Sequence, residues 1–193
     1  ETWTKMSPDL TTNDPKKQLQ EASGGLSADN SGAENHCTVF TINESPIDKN
    51  IIWVGTDDGN VQVTKDGGKT WTNVTSKIMG VPKNTWTYFI EPSNFDKNAA
   101  FVVFDGHTQN DMKPYVLKTT DAGKTWKRVG LENSKTIHRI LIDPTNSNVV
   151  YVGVMGDPFT PDANRGVYKT TDGGATWSKI LFTNNQSGVG DMV

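Results

Sequence analysis

The hydrophobic positions of this chain fall into short runs separated by polar turns, without the spacing of an amphipathic helix. Three pairs of runs stand out, at 37–42 with 51–55, 85–90 with 99–104, and 137–142 with 149–154. Two shorter runs follow each pair, and the second of these opens at a tryptophan: 61–63 and 71–74, 115–117 and 126–129, 167–169 and 177–180. Bounded by Gly, Pro, Asn and Asp, such runs predict β-strands. The pattern therefore predicts three units of four antiparallel strands, A to D.

One eight-residue block recurs in all three units, between the third and fourth strands. The copies lie at 64–71, 119–126 and 170–177, and each ends in the sequence Thr-Trp. Their tryptophans recur at intervals of about fifty residues, close to the ~40–50 residues of a propeller blade. Four-stranded units in tandem are the blades of a β-propeller. We therefore expect an all-β fold, an arc of four-stranded antiparallel blades with this block at each C–D turn.

The block has the composition of a hairpin clamp. Its short acidic side chain is suited to accept hydrogen bonds from turn amides. Its second glycine supplies the positive φ that a tight turn needs, and its tryptophan is expected to wedge between blades. These roles predict structural residues at Asp66, Gly68, Trp71, Asp121, Gly123, Trp126, Asp172, Gly174 and Trp177.

The blocks resemble the Asp-box, or BNR repeat (S/T-x-D-x-G-x-T-W), of sialidases, sortilin-type receptors and xyloglucanase-type glycoside hydrolases. Stretches 7–10, 44–46, 52–59 and 165–172 extend the likeness to large secreted bacterial proteins with a sortilin-like propeller. In that family, segments similar to 1–129 lie late in the chain and segments similar to 130–193 lie early. The resemblance therefore implies a rearranged segment order, with the join near 119–126.

The strand count predicts a single propeller segment over 1–193, with an incomplete ring. We expect blades at 36–75, 85–130 and 136–181, a strand of a preceding blade at 1–10, a long loop at 11–35 and the first strand of a following blade at 188–193. An unclosed arc leaves sheet edges open to association. Further blades of a larger propeller, or self-association, are therefore expected partners.

Composition and charge exclude several functional classes. The 193 residues carry 19 basic and 22 acidic side chains, a net charge of −3, so the basic surface of a nucleic-acid binder is not expected. Cys37 is the single cysteine, which rules out an internal disulfide framework. No apolar run approaches the ~20 residues of a membrane span. Neither a metal site nor a cofactor is expected, because the sequence has no ligand spacing for one.

Candidate functional residues follow the B strands, on the side of the propeller opposite the blocks. The long connections 7–35, 75–84, 105–114 and 156–166 are expected on that side, where binding residues concentrate. His36 and His138, at the starts of A strands, are expected to satisfy local hydrogen bonds. The candidate binding residues are Asp57, Asp58, Asp105, His107, Asp157 and Arg165.

Three interpretations of these carboxylates remain open. They could cap turns and face water, they could bind a cation, a sugar or a peptide amine through focused negative potential, or they could hydrolyse glycosides. Hydrolysis requires two carboxylates roughly 5–9.5 Å apart, one with a raised pKa.

The resemblance and the loop pattern together predict a non-catalytic, extracytoplasmic module, secreted or at the cell surface or periplasm. It would bind a peptide, protein or glycan through the long-loop side. The alternative is a fragment of a glycoside hydrolase that uses rim carboxylates. A second alternative is a structural component of a surface or secretion assembly.

Overall fold

The computed structural model describes residues 2–18 and 36–193, which form three four-stranded antiparallel sheets, each with its strands in sequence order. The predicted all-β fold, with one sheet per repeat unit, is confirmed. The first sheet holds β1 (Val39–Ser45), β2 (Asp48–Thr56), β3 (Val61–Thr64) and β4 (Thr72–Asn73). The second holds β5 (Trp86–Pro92), β6 (Ala100–Gly106), β7 (Asp111–Thr119) and β8 (Lys127–Arg128). The third holds β9 (Ile137–Ile142), β10 (Val150–Val154), β11 (Gly166–Thr170) and β12 (Ser178–Leu181).

The sheets stack face to face as blades, and the hydrophobic core lies between them. Along β2, Ile51 and Trp53 face the second blade, where Val102 and Phe104 of β6 join the same buried cluster. Their neighbour Val54 faces the opposite way. Because successive side chains of a strand point to opposite faces, the second strand of a blade is buried on both. Its near-continuous hydrophobic run is the sequence signature of that position.

The Asp-box turns form the clamp that the sequence predicts. In the second box, the carboxylate of Asp121 accepts hydrogen bonds from Thr119 Oγ1 at 2.9 Å, the Thr125 amide at 2.9 Å and Thr125 Oγ1 at 2.6 Å. These bonds lower the pKa of Asp121 to about 2. Gly123 has φ +83°, and a Cβ there would lie 3.0 Å from Val74 of the preceding blade. The box therefore holds its own hairpin and also packs one blade on the next.

The N-terminal segment packs on the first blade without forming the predicted strand. Residues 2–6 have no ladder partner, and the carbonyl of Met6 instead accepts a hydrogen bond from Trp71 Nε1 at 3.3 Å. Leu10 is buried against Ile52, Val54 and Trp71. The predicted strand at 188–193 is likewise absent, and a single main-chain bond, from Val189 to Val154, runs beside β10. A β-strand requires repeated main-chain hydrogen bonds to a neighbouring strand, and neither segment pairs with one in this way.

One predicted loop also differs from expectation. The connection 105–114 is compact, because β6 extends to Gly106 and β7 already begins at Asp111. The 3-10 turn His107–Gln109 lies between the two strands. Of the predicted loop 11–35, residues 19–35 lie outside the described residues, and the described part contains the 3-10 turn Pro15–Lys17. Within 2–18 and 36–193, no helix has the length and hydropathy that crossing a membrane requires.

Candidate functional site

The first strand of every blade carries a β-bulge at the same place, near its start. Val39 and Thr41 pair with the consecutive residues Thr56 and Gly55, which leaves Phe40 as the extra residue. The same shift isolates Tyr88 in β5 and His138 in β9. A bulge redirects the side chain of its extra residue. All three extra residues have ring side chains.

The three bulged rings form a continuous row across the blades. Phe40 lies 5.1 Å from Tyr88, centroid to centroid, and Tyr88 stacks on His138 at 4.1 Å with an interplanar angle of 10°. Trp86 extends the row by stacking on Phe40 at 5.2 Å. His107 meets the edge of Trp86 at 6.0 Å. We call Phe40, Trp86, Tyr88, His107 and His138 the aromatic row.

A buried carboxylate lies beneath the row and ties two blades together. Asp105, at the end of β6, has a fully buried side chain. Its Oδ2 contacts Nδ1 of His107 at 2.7 Å and Nε2 of His138, on the next blade, at 3.1 Å. Its Oδ1 accepts the His107 amide at 2.9 Å. Of the two predicted residues of this blade, His107 therefore belongs to the row and Asp105 lies beneath it.

The electrostatics of this cluster keep Asp105 ionised. Burial alone would raise the pKa of the Asp105 carboxyl, but the hydrogen bonds from His138 and His107 outweigh it and lower that pKa. For Tyr88, burial and the carboxylates of Asp105 and Asp191 raise the pKa of the phenol. The site thus presents a row of rings over a buried negative charge.

Asp57 and Asp58, also predicted here, are buried in the turn after β2. Asp57 accepts the amide and hydroxyl of Thr38 at 2.8 and 2.7 Å. Asp58 accepts the amide and hydroxyl of Thr12, both at 2.6 Å, and the hydroxyl of Thr56. Burial would raise the pKa of Asp58, but these hydrogen bonds lower it. The expectation that the two carboxylates face water is therefore wrong, because both are buried and accept hydrogen bonds from the neighbouring segments at Thr38 and Thr12.

Asp157 and Arg165 organise the 156–166 loop of the third blade. The Asp157 carboxylate binds Lys135 Nζ at 2.9 Å and the amide of Phe159 at 2.9 Å. Hydrogen bonds from Lys135 and Phe159 hold the pKa of Asp157 well below its usual range. The Arg165 guanidinium is buried and donates to the main-chain carbonyls of Met155, Asp157 and Thr160. Neither side chain contacts the aromatic row.

The sequence prediction missed four members of the row. His138 was expected to form local bonds, yet it reaches Asp105 across 33 residues. Phe40, Trp86 and Tyr88 read as ordinary strand residues. The available signal was an aromatic or imidazole side chain near the start of each A run, at Phe40, Tyr88 and His138. Within the described ranges, no group of three or more His, Cys, Asp or Glu side chains is arranged to hold a metal ion.

The Sortilin-Vps10 family model, described as sortilin, neurotensin receptor 3, matches residues 59–181, well over half of the sequence. The chain belongs to the sortilin family. The match spans all three Asp-boxes, the second and third blades and the last two strands of the first blade, so the resemblance carried by the boxes is confirmed.

Curated relatives are enzymes. The chain is 26% identical over 147 residues to a xyloglucanase of Hypocrea jecorina, covering 70% of this chain and 17% of that protein. It is 24% identical over 148 residues to the xyloglucanase Xgh74A of Acetivibrio thermocellus, covering 69% of this chain and 16% of that protein. The chain thus spans about a sixth of the length of these relatives.

Similar solved structures include both enzymes and a peptide complex. The GH74 xyloglucanase of Xanthomonas campestris aligns with a TM-score of 0.58 at 20% identity, over 73% of this chain and 20% of the enzyme. YCF48 bound to D1 peptide aligns with a TM-score of 0.51 at 18% identity, over 75% of this chain and 44% of that protein. At these identities the likeness establishes the fold.

Proposed function

We propose that the three blades form the ligand-binding segment of a sortilin-type propeller, and that this segment binds a glycan across the aromatic row. The row supplies a continuous surface of partly exposed rings, which suits the apolar face of a pyranose ring. The imidazoles of His107 and His138 add polar edges for hydroxyl groups. The stacked row across three blades is the single observation that carries the proposal.

The location of the row supports the same function. The bulges lie where the A strands start and the B strands end, the edge from which the long connections leave and away from the Asp-boxes. Phe40 is 43% exposed, and Trp86, Tyr88, His107 and His138 are partly exposed. Partly exposed aromatic groups on rigid strands are typical of binding surfaces. The proposal retains Asp105 and His107 from the predicted site and assigns Asp57, Asp58, Asp157 and Arg165 to loop support.

A matched pair of phenylalanines tests the proposal. Phe40 is 43% exposed on the row, and Phe95 is 45% exposed in the A–B turn of the second blade, at the end of its strands opposite the row. We expect Phe40→Ala to weaken the binding of xyloglucan oligosaccharides, measured by titration calorimetry, roughly tenfold, about 1.4 kcal/mol. Phe95→Ala should bind as the parent chain does. Equal affinity in both variants, or binding of none of these glycans by the parent chain, would overturn the proposal.

A glycoside hydrolase fragment is the second candidate, favoured by the xyloglucanase relatives. In that case the row would supply substrate contacts, because the Asp105 carboxylate is committed to His107 and His138. Release of reducing ends from xyloglucan by the purified parent chain would support hydrolysis. Binding without turnover would support the non-catalytic module. An extracytoplasmic location is part of both proposals, since a polymeric glycan is met outside the cytoplasm.

A further inference from the structure

We infer that Asp105 is a positioning residue that fixes the ring protons of His107 and His138, so that the neutral form of His107 presents Nε2 as a hydrogen-bond acceptor beside the Trp86 ring. The inference rests on the proposed function for the nature of the ligand. Its structural basis is the sharing of one carboxylate oxygen by two imidazoles from different blades.

The proton positions follow from the hydrogen-bonding capacity of the carboxylate. An ionised carboxylate only accepts hydrogen bonds, and the lowered pKa of Asp105 keeps it ionised. Both ring nitrogens that face it must therefore donate. His107 then carries its proton on Nδ1 and His138 carries its proton on Nε2. In the neutral imidazole, the second nitrogen is a lone-pair acceptor.

The geometry exposes that acceptor on His107. Nδ1 of His107 points to the fully buried carboxylate, yet 28% of its side chain is exposed. The exposed part therefore lies on the far edge of the ring, which carries Nε2. His138 is held differently, since its ring is 11% exposed and stacks on Tyr88 at 4.1 Å. His107 is thus the polar contact of the row, and His138 chiefly supports the ring of Tyr88.

An acceptor next to an aromatic face selects a class of ligand. The Trp86 ring lies edge-on to His107 with centroids 6.0 Å apart. A ligand that stacks on Trp86 therefore brings its own edge towards Nε2. That edge must carry a donor such as a hydroxyl, because an acceptor placed there would face a lone pair. A sugar ring has an apolar face bordered by hydroxyl groups and meets both requirements.

Nitrogen NMR of the imidazoles tests the proton positions without any ligand. In long-range ¹H–¹⁵N spectra recorded at a pH high enough to give the neutral imidazoles, we expect His107 to be protonated at Nδ1 and His138 at Nε2. In Asp105→Asn, the amide no longer requires two donors, so we expect His107 to lose its fixed Nδ1–H form. Protonation of His107 at Nε2 in the parent chain would overturn the inference.

Binding measurements test the acceptor. His107→Phe keeps a ring beside Trp86 and removes the acceptor, and we expect it to weaken the binding of xyloglucan oligosaccharides about tenfold, the effect of one lost hydrogen bond. Asp105→Asn should weaken binding by a similar factor, provided that this variant folds. If it does not fold, His107→Phe alone tests the acceptor. Unchanged affinity in His107→Phe would overturn the acceptor role. If the parent chain has the inferred tautomers but binds no glycan, the proposed function fails while the positioning role of Asp105 is supported.

Discussion

Trp177 of the third Asp-box donates a hydrogen bond from Nε1 to the main-chain carbonyl of Val129, 48 residues earlier and one blade away, at 2.8 Å. Trp71 makes the equivalent bond to Met6 at 3.3 Å. Each contact joins a box to the residue that lies three positions after the tryptophan of the preceding repeat, since Trp126 precedes Val129 and Trp3 precedes Met6. The Asp-box tryptophan is therefore a joint between blades as well as part of its own turn.

The tryptophans of the second and third boxes should respond differently to loss of the indole nitrogen. Within the described part of the chain, Nε1 of Trp126 is buried with no hydrogen-bond partner, and its ring meets Trp53 edge-on at 6.0 Å. We expect Trp177→Phe to lower the free energy of unfolding by about 1 kcal/mol more than Trp126→Phe does, because only Trp177 gives up a hydrogen bond. Urea denaturation of both variants measures the difference. Equal losses of stability in the two variants would contradict the role of Trp177 as a joint between blades.

The Asp-box carboxylates should affect stability and leave binding unchanged. We expect Asp121→Ala to lower the melting temperature, because Thr119 and Thr125 lose their common acceptor. The neighbouring exposed Lys124→Ala is the control and should melt as the parent chain does. Glycan affinity should be unchanged in both, since this turn lies at the far end of the strands from the aromatic row. Loss of binding at constant melting temperature would place the functional side at the boxes.

Asp58 should be a stability residue, in contrast to the sequence expectation of a near-neutral surface carboxylate. Its replacement by Ala leaves the amide of Thr12 and the hydroxyl of Thr56 without their acceptor. We expect a loss of about 2 kcal/mol in the free energy of unfolding, the cost of buried polar groups left unpaired. Glu44→Ala, at an exposed position of β1, should change stability by less than about 0.5 kcal/mol. Equal effects would show that Asp58 is dispensable for the fold.

Glu91 should make the fold less stable as the pH rises towards neutrality. Burial raises the pKa of Glu91 to about 7 from the ordinary 4.5, against the lowering effects of the Ile142 amide and the charge of Arg139. Between those pH values the folded chain holds a proton that the unfolded chain has released. The free energy of unfolding therefore falls with rising pH through this window, by about 2–3 kcal/mol for this group.

Glu91→Gln isolates this contribution. The amide keeps an acceptor for Ile142 and cannot ionise, so the variant should gain stability relative to the parent chain between pH 4.5 and pH 7. Carboxylates with a lowered pKa, such as Asp66 with a pKa of about 2, make the free energy of unfolding rise with pH instead. They are present in both the parent chain and Glu91→Gln, so they do not contribute to the difference. Urea denaturation across this range gives the difference. A difference that is constant with pH would mean that Glu91 ionises normally in the folded chain.

The outer edge of the third blade should promote self-association. Ile180 of β12 occupies the repeat position of Val74 and Val129, which are buried under the next box, but Ile180 is 52% exposed. Exposed apolar strand edges favour pairing between chains. We expect Ile180→Glu to reduce the mass measured by light scattering at high concentration. Ile47→Glu, at a similarly exposed site in the β1–β2 turn, is the control and should leave it unchanged. A parent chain that remains monomeric throughout would contradict this prediction.

The sequence alone determined the repeat and the blade. A strand buried on both faces reads as a continuous apolar run, as from Ile51 to Val54, and a clamp that closes through local bonds, as from Asp121 to Thr125, needs residues only four apart. Such signals are local, so they are visible without a fold. They sufficed to predict the order of the strands and the turns that carry the boxes.

Only the tertiary structure decided where the functional residues meet. Asp57 and Asp58 read as exposed turn residues, but contacts with Thr38 and Thr12 bury them. The aromatic row depends on a bulge in each first strand and on the angle between blades, which together place Phe40 beside Tyr88 and His138. A bulge shifts register by one residue and leaves the hydrophobic pattern almost unchanged. The meeting of imidazoles from two blades on one buried carboxylate therefore has no local signature, and packing alone creates it.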